Sequence, residues 1–291
     1  MPELPDVDVY VTRIAERIKG ASLVEIRIAS PFLLRSYQPT ASELAGGVVT
    51  SVRRIGKRVA IGLDSDAWIV IHLMVAGRLH WHDEPPSLAA KNRLASFDFS
   101  SGHLLLTESG HKKRASLHLV ASAAELEEHD PGGIEPLDAN LAEFAEALRH
   151  ENRTLKRALT NPRTFSGIGN AYSDEILHAA GLSPIRLTSK LDDDEVARLH
   201  DATQTTLIRW RDELMQESSS EFPKKVTAFR DGMAVHGRFG KPCPVCDAPV
   251  QRIRYKSNET NYCPACQTGG KILADRSLSR LLKDNWPSSL D

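Results

Sequence analysis

The 291-residue chain has no run of about 18 apolar residues, so no segment reads as a helix that spans a bilayer. It also lacks a basic stretch leading into an apolar one at its start. The opening MPELPDVD is acidic and proline-containing, which argues against a secretory leader and for a cytoplasmic protein. Net charge is nearly absent: 37 Lys and Arg face 38 Asp and Glu, a formal charge of -1, so bulk charge does not announce a polyanionic partner. Internal repeats and low-complexity tracts are missing, which removes solenoids and extended disorder. Cysteine is scarce. Only Cys243, Cys246, Cys263 and Cys266 occur, all within one short stretch, so no disulfide framework staples the fold. What remains is an ordinary globular composition, 41% hydrophobic and 26% charged, long enough for two domains or two plus a small module.

Charge is scarce in sum but uneven in distribution. Arg53, Arg54, Lys57 and Arg58 fall together without an acid between them, and Lys112, Lys113 and Arg114 are consecutive. Residues 221–260 carry eight Lys or Arg against four acids, whereas 125–151 carry nine acids against Arg149 alone. A protein that grips a polyanion on one face and balances it with an acidic back has this pattern; so does a set of solvated loops.

Apolar spacing divides the chain. Val7, Val11, Ile14 and Ile18 form the stripe of an amphipathic helix over 3–20, with Pro5 suited to its first turn and Gly20 to its end. From about 22 to 120 the pattern becomes short β-branched runs: LVEIRI, VVTSVRRI, RVAIGL, WIVIHLMV, ASFDF and HLLLT. Turn residues separate them, as in a sandwich or barrel. DPGGIEP at 130–136 reads as a linker, and 138–216 is helical in pattern. The expected organisation is a β domain at 1–130, a helical domain at 137–225, a cysteine-bearing module at 228–275 and a tail at 276–291.

Three motifs carry chemistry. The cysteines form C-x2-C-x16-C-x2-C. Each C-x-x-C places two thiolates on one turn, and two such turns close a tetrahedral shell with no open position, which predicts one structural zinc ion. GIGNAYSDEILHAAG at 167–181 pairs a glycine turn with a helix beginning at Asn170. Its amides can face a phosphate, although taken alone it is equally an ordinary helix start. Finally, removal of Met1 before a small residue would leave Pro2 with a free secondary amine. An α-amine has a pKa of about 8 and is substantially neutral at working pH, so it can attack a sugar C1′ and form a Schiff base. Glu3 adjoins it as a candidate acid or base, although a plain helix N-terminus with favourable acids has the same sequence.

Together, in this order and over nearly the whole chain, these motifs resemble the formamidopyrimidine-DNA glycosylase and endonuclease VIII family. PELPDVD is similar to that family's opening PELPEVE. GIGNAYSDEILHAAGLSP resembles its helix–two-turns–helix motif, and HGRFGKPCPVCDAPV with NYCPACQ resembles its zinc finger. The resemblance implies an α+β multidomain fold: an N-terminal helix with a β-sandwich, a helical domain with the helix–two-turns–helix motif, and a C-terminal zinc ribbon. It implies a monomer acting on double-stranded DNA with a damaged base or abasic site, by base removal followed by β- and often δ-elimination, without a membrane. Pro2 would be the nucleophile, Glu3 would protonate the opening sugar, and Lys57 would contact phosphate and assist elimination. Lys156 and Asn170 would hold flanking phosphates, and Glu175 would lie near the amine.

The departures from the family pattern bear on specificity. The hairpin arginine five residues before the third cysteine is Asn258 here, so the phosphate clamp is weaker or Arg254 or Lys256 substitutes. Val75, with Met74 beside it, stands where a methionine fills the hole left by the extruded base. GHKKRAS, with Lys113 and Arg114, stands where an arginine–phenylalanine loop would be. Asp6 and Asp8 replace two glutamates. Oxidised purines are the expected substrates. Oxidised pyrimidines, as for the endonuclease VIII branch, and a non-catalytic binder of damaged DNA are the alternatives.

Overall fold

The computed structural model describes residues 1–223, 226–227, 230–255, 258–275 and 289. In chain order it begins with α1 (Leu4–Ile18), β1 (Leu23–Ile28), α2 (Ala41–Leu44), β2 (Val49–Ile55), β3 (Arg58–Leu63), β4 (Trp68–His72), β5 (Gly77–His82), β6 (Arg93–Phe99), β7 (Gly102–Glu108), β8 (Ser116–Val120) and α3 (Ala123–Glu127). There follow α4 (Leu141–Arg149), α5 (Leu155–Thr160), α6 (Asn170–Ala179), α7 (Asp193–Glu217), β9 (Gln251–Tyr255), β10 (Asn258–Tyr262) and α8 (Pro264–Thr268). They form two compact units. The first comprises Met1–Pro131 with Trp210–Thr227, and the second Gly132–Arg209 with the described residues from Arg230 onward.

The first unit holds two four-stranded antiparallel sheets, ordered β1-β6-β7-β5 and β2-β3-β4-β8. Alternation decides which face each side chain takes. On β3 and β4, Val59, Ile61, Ile69 and Ile71 enter the main core together with Phe97, Leu104 and Leu106 of the other sheet and with Val7, Tyr10, Ile14 and Ile18 of α1. Ala60, Trp68 and Val70 point the other way, into a smaller cluster closed by Val120 and by Leu126 of α3. A strand buried on both faces reads as a continuous apolar run, which is why WIVIH stands out in the sequence. Each fully buried large side chain in such a core contributes roughly 1.5–3 kcal/mol.

The expected sandwich, N-terminal helix and helical segments are present, with local corrections. WIVIHLMV is not one strand. β4 stops at His72 because the chain turns at once: Met74 takes a left-handed φ of +52°. The Gly77 N–H then bonds to the Leu73 carbonyl, and a Cβ at Gly77 would lie 2.3 Å from that oxygen. β5 and β8 escape the sequence reading because histidines interrupt their short apolar alternation (GRLHWH, SLHLV). The helical domain expected at 137–225 also ends differently, since Trp210–Thr227 belongs to the first unit. There Arg13 of α1 donates to the Met215 carbonyl (2.8 Å) and to Ser218 (3.2 Å), and Phe222 stacks against Tyr10.

In the second unit α4 starts at a reciprocal cap, Asn140 with Glu143. Phe144 and Phe165 pack ring to ring (4.7 Å) among buried Leu155, Leu159, Tyr172, Ile176 and Leu199. β9 and β10 form a separate hairpin, and α8 follows it. Of the expected 276–291 tail, only Ser289 is among the described residues. No helix among the described residues is long and apolar enough to cross a membrane.

A histidine cluster gives the first unit a pH dependence. Burial, then the cations of Arg58 and Lys57, push His72 down to about 4. Burial and neighbouring His129, whose ring lies 4.6 Å away, push His118 down to about 4 as well. The ordinary value of 6.5 applies to the unfolded chain, which therefore binds more protons than the native state between 6.5 and about 4. Stability should fall as pH drops through that window. We expect the thermal midpoint to decline across it, and His118→Gln to flatten the decline. Identical slopes for the two proteins would show that His118 plays no part.

Candidate functional site

The start of the chain is fixed by α1. Glu3 and Asp6 cap the helix reciprocally: the Glu3 N–H donates to Asp6 Oδ2 (2.9 Å), and the Glu3 carboxylate accepts the Asp6 N–H. Both side chains are buried, as is Pro2. Asp6 thus closes the cap despite being one methylene shorter than the glutamate common at this position of a capping box. Asp8, one turn below the chain end, reaches Arg54 Nε at 2.7 Å instead. The terminal amine lies in a charged enclosure. Burial lowers the pKa of the Met1 amine, Glu3 and Asp6 oppose that, and Arg78 and Lys57 reinforce it. Arg78 was not singled out by the sequence. Its position one residue past the Leu73–Gly77 turn is a tertiary feature.

Lys57 sits on the tip of the β2–β3 hairpin. Ile55 pairs with Arg58, so Gly56 and Lys57 form a two-residue turn, and Gly56 supplies the positive φ (+57°) at its first position. Arg54 ties this tip down: it donates Nη1 to the Gly56 carbonyl (3.0 Å) while its Nε holds Asp8. The capped helix and the lysine-bearing hairpin are therefore joined by one arginine.

Two loops of the same unit carry Val75 and the Lys113–Arg114 pair that the sequence singles out. Val75, at the turn after β4, is 55% exposed, and Arg78 braces that turn by donating to the Gly77 carbonyl (2.6 Å). The second loop is cinched by Glu108, only 1% exposed. Its carboxylate accepts the N–H groups of Arg114 (2.8 and 2.9 Å) and Ala115 (3.1 Å), while the Lys113 ammonium bonds to the Glu108 carbonyl. Lys113 is thus turned onto its own loop, and Arg114 is left exposed. The sequence did not mark Glu108, whose partners lie six and seven residues away across a loop of no fixed pattern.

In the second unit the candidate residues gather on α6. Lys156 is 9% exposed, and its ammonium donates to Asp174 Oδ1 and to the Asn170 carbonyl, both at 2.5 Å. It is an interior ion pair of α5 with α6. Asp174, fully buried, also accepts from His236 Nδ1 (2.8 Å) and Asn261 Nδ2 (3.3 Å). Asn170 opens α6 and donates Nδ2 to the Glu259 carbonyl of β10 (2.9 Å), which brings the helix start to the hairpin. Glu175 is 6% exposed, and its carboxylate accepts three backbone N–H groups, from Ala234 (2.6 Å), Val235 (2.9 Å) and His236 (2.9 Å). At the hairpin end Asn258 is exposed opposite Tyr255, and exposed Arg254 is held through its N–H by Asp275 (2.7 Å). Lys256 lies outside the described residues.

The four cysteines converge as their spacing predicts. Their sulfurs all lie within 4.8 Å of one another, at 3.4 Å for Cys246–Cys263 and Cys246–Cys266 and 3.9 Å for Cys243–Cys266. Tetrahedral Zn–S bonds of about 2.3 Å require sulfurs about 3.8 Å apart, so the cluster has the dimensions of a tetrathiolate site. Its electrostatics agree. Burial pushes Cys263 up to about 11 and raises Cys266 as well. The Ala248 N–H holds Cys246 below its ordinary value; burial raises Cys243, but the Val245 and Cys246 N–H groups outweigh it. Four such thiols cannot all ionise together without a cation among them.

Comparison with known proteins places these parts. Residues 1–113 match the formamidopyrimidine-DNA glycosylase N-terminal domain, 133–213 the formamidopyrimidine-DNA glycosylase H2TH domain, and 240–269 a zinc finger found in FPG and IleRS. A formamidopyrimidine-DNA glycosylase of Heliobacterium modesticaldum is 31% identical over 281 residues, covering 92% of this chain and all of that one. The MutM (Fpg) crystal structure from Thermus thermophilus superposes with a TM-score of 0.76 at 28% identity, over 91% of this chain and 98% of that one. Lactococcus lactis Fpg bound to DNA containing FAPY-dG superposes with a TM-score of 0.77 at 25% identity, over 91% of this chain and all of that one.

Removing the Glu175 carboxylate leaves three N–H groups without acceptors. Glu175→Ala should destabilise the second unit by roughly 2–4 kcal/mol in urea unfolding, and Glu175→Gln, which keeps one oxygen, by less. A loss under about 0.5 kcal/mol for Glu175→Ala would mean that water replaces the carboxylate freely.

Proposed function

This chain belongs to the formamidopyrimidine-DNA glycosylase family and is a DNA-repair glycosylase, and from that premise we propose that it excises oxidised purines and then cleaves the abasic site with Pro2 as nucleophile. The observation that carries this reading is the enclosure of the chain start: Pro2 is buried next to Glu3, whose buried carboxylate is fixed by its own helix cap.

Removal of Met1 frees the Pro2 nitrogen as a secondary amine beside Glu3. An α-amine of ordinary pKa, about 8, is neutral often enough at working pH to act as a nucleophile. The N–C1′ bond forms as the glycosidic bond breaks, and the base leaves with a proton. Glu3 protonates the sugar ring oxygen as the ring opens to the iminium. Loss of a C2′ proton then expels the 3′-phosphate, and water releases Pro2 from the cleaved strand. The lesion must leave the base stack for this to occur, and that costs several kcal/mol of unstacking and bending. Phosphate contacts offset the cost. Lys57 supplies one from its pinned hairpin. Asn170 supplies another at the N-terminus of α6, with Arg254 and Asn258 beside it on the hairpin. Lys156 acts on this grip indirectly, by holding the Asn170 carbonyl, and Glu175 by holding residues 234–236.

The four thiolates hold one zinc ion, which supplies charge and geometry to the hairpin module and no chemistry to the reaction. Exposed Val75 in the methionine position, and a void-filling loop that presents Arg114 and engages Lys113, favour an altered opposite-base preference. They leave oxidised pyrimidines as the second reading.

Borohydride trapping of the full chain across a panel of lesion duplexes tests the proposal. A covalent adduct should form on 8-oxoguanine and abasic DNA, and mass spectrometry should place it on Pro2. Pro2→Gly should slow base removal strongly while DNA affinity stays nearly intact. Adducts on thymine glycol with none on 8-oxoguanine would transfer the protein to the second reading. Active enzyme that retains Met1 would end the proline mechanism. Cys263→Ser should lose metal and weaken DNA binding; unchanged binding without metal would remove the zinc from the account.

A further inference from the structure

α6 ends against the thiolate cluster as well as beginning at Asn170. His178, near its last turn, lies 3.2 Å from Cys243 Sγ through Nε2, and both side chains are buried. The residue sits inside the helical motif, where the sequence shows only one histidine in an apolar stretch, EILHAAG.

We propose that His178 belongs to the metal site: it donates its Nε2–H to the Cys243 thiolate, helps the cluster retain its metal, and fastens the cluster to the helix that starts at Asn170. The direction of the bond follows from chemistry. A metal-bound sulfur has lost its proton and can only accept, so the imidazole must be the donor. A tetrathiolate around a divalent cation carries a net charge of about -2, and at Cys243, which is fully buried, little water is at hand to disperse it. An N–H aimed at one sulfur offsets part of that charge and disfavours protonation of the thiolate, the step that opens the shell to metal loss. Outer-shell donors of this kind typically change metal affinity by about 10- to 100-fold.

The surrounding bonds show why the contact reaches the phosphate-gripping end of the helix. Gln267 of α8 accepts the Cys263 N–H through Oε1 (2.8 Å) and donates Nε2 to the Leu182 carbonyl just past α6 (2.9 Å). At the other end Asn170 bonds to the Glu259 carbonyl of β10. The helix is clasped by the cysteine module at both termini, about 12 Å apart at 1.5 Å per residue. Relaxation at His178 therefore displaces the support of Asn170.

The inference rests on the zinc reading above, and the test separates the two. Metal content is first measured on purified wild-type protein. Zinc transfer from the full chain to excess chelator is then followed for wild type, His178→Phe and His178→Gln. Release should be about 10-fold faster from His178→Phe, with His178→Gln, which keeps an N–H donor, close to wild type. DNA affinity should weaken in the same order. Equal rates for His178→Phe and wild type, or equal acceleration in both variants, would overturn the role of the hydrogen bond while leaving zinc in place. Absence of metal from wild type would sink both readings. Should His178→Phe not fold, the 15N shifts of the His178 ring in zinc-loaded wild type decide: a protonated Nε2 protected from exchange supports the donor, and an unprotonated Nε2 refutes it.

Discussion

A helix that begins at the fourth residue must satisfy its first N–H groups with whatever the chain end supplies, and in this protein it supplies two buried carboxylates. Glu3 and Asp6 exchange backbone bonds, and neither side chain is left to water. Burying acids at the positive end of a helix is favourable, but it also brings carboxylate, terminal amine and nearby cations into one small space. The geometry proposed to be reactive is thus a by-product of capping. The same bonds that start α1 orient Glu3, and they do so without a separate scaffold for the proposed acid. Arg54 extends that order to Lys57. It spans Asp8 on the helix and Gly56 on the hairpin, so the phosphate-directed cation moves with the capped end.

The second unit follows the opposite strategy. Its polar groups are placed inside, on a helix whose residues are buried nearly all round. Asp174 and Glu175 are adjacent, and their carboxylates collect six donors: Lys156, His236 and Asn261 for the first, and three backbone N–H groups for the second. Unpaired, either buried charge would cost several kcal/mol; saturated, each fixes the position of a segment with no core of its own. The consequence for function is that Asn170 is aimed by the interior. Lys156 holds its carbonyl and β10 holds its side chain, so little of its freedom remains to be lost when a ligand arrives.

Legibility in the sequence followed the range of the interaction. The cysteine cluster, the first helix, the β-rich half and the helix at Asn170 were readable because their signals repeat within a few residues. The strand ends were not. β4 stops at a left-handed Met74 that no turn residue advertises, and β5 and β8 alternate with histidines that dilute the apolar pattern. Functional assignments divide in the same way. Pro2, Glu3 and Lys57 could be proposed from the sequence because motif and position coincide. Lys156 was expected to hold a flanking phosphate, and its ammonium is instead engaged inside the unit by Asp174, 18 residues on. Glu108, Arg78 and His178 were silent because each acts on a loop, a turn or a sulfur that only the tertiary fold brings near.

The cysteine module shows how such distant partners become obligatory. Its hydrophobic clusters are very small: Val235, Cys243, Val250 and Cys263 in one, Ile253, Tyr262 and Leu273 in the other. So few apolar groups cannot offset the conformational entropy of ordering a hairpin and two turns. Metal ligation can, because binding free energy at a site absent from the unfolded chain is folding free energy. A module stabilised in this way has one rigid point, the sulfurs, and would otherwise hinge about it. The contacts of His178, Gln267 and Asn170 remove that freedom by spending polar groups of α6 on the module rather than on water. The residues aligned with the hairpin clamp, Arg254 and Asn258, then keep a fixed relation to the helix that carries Asn170.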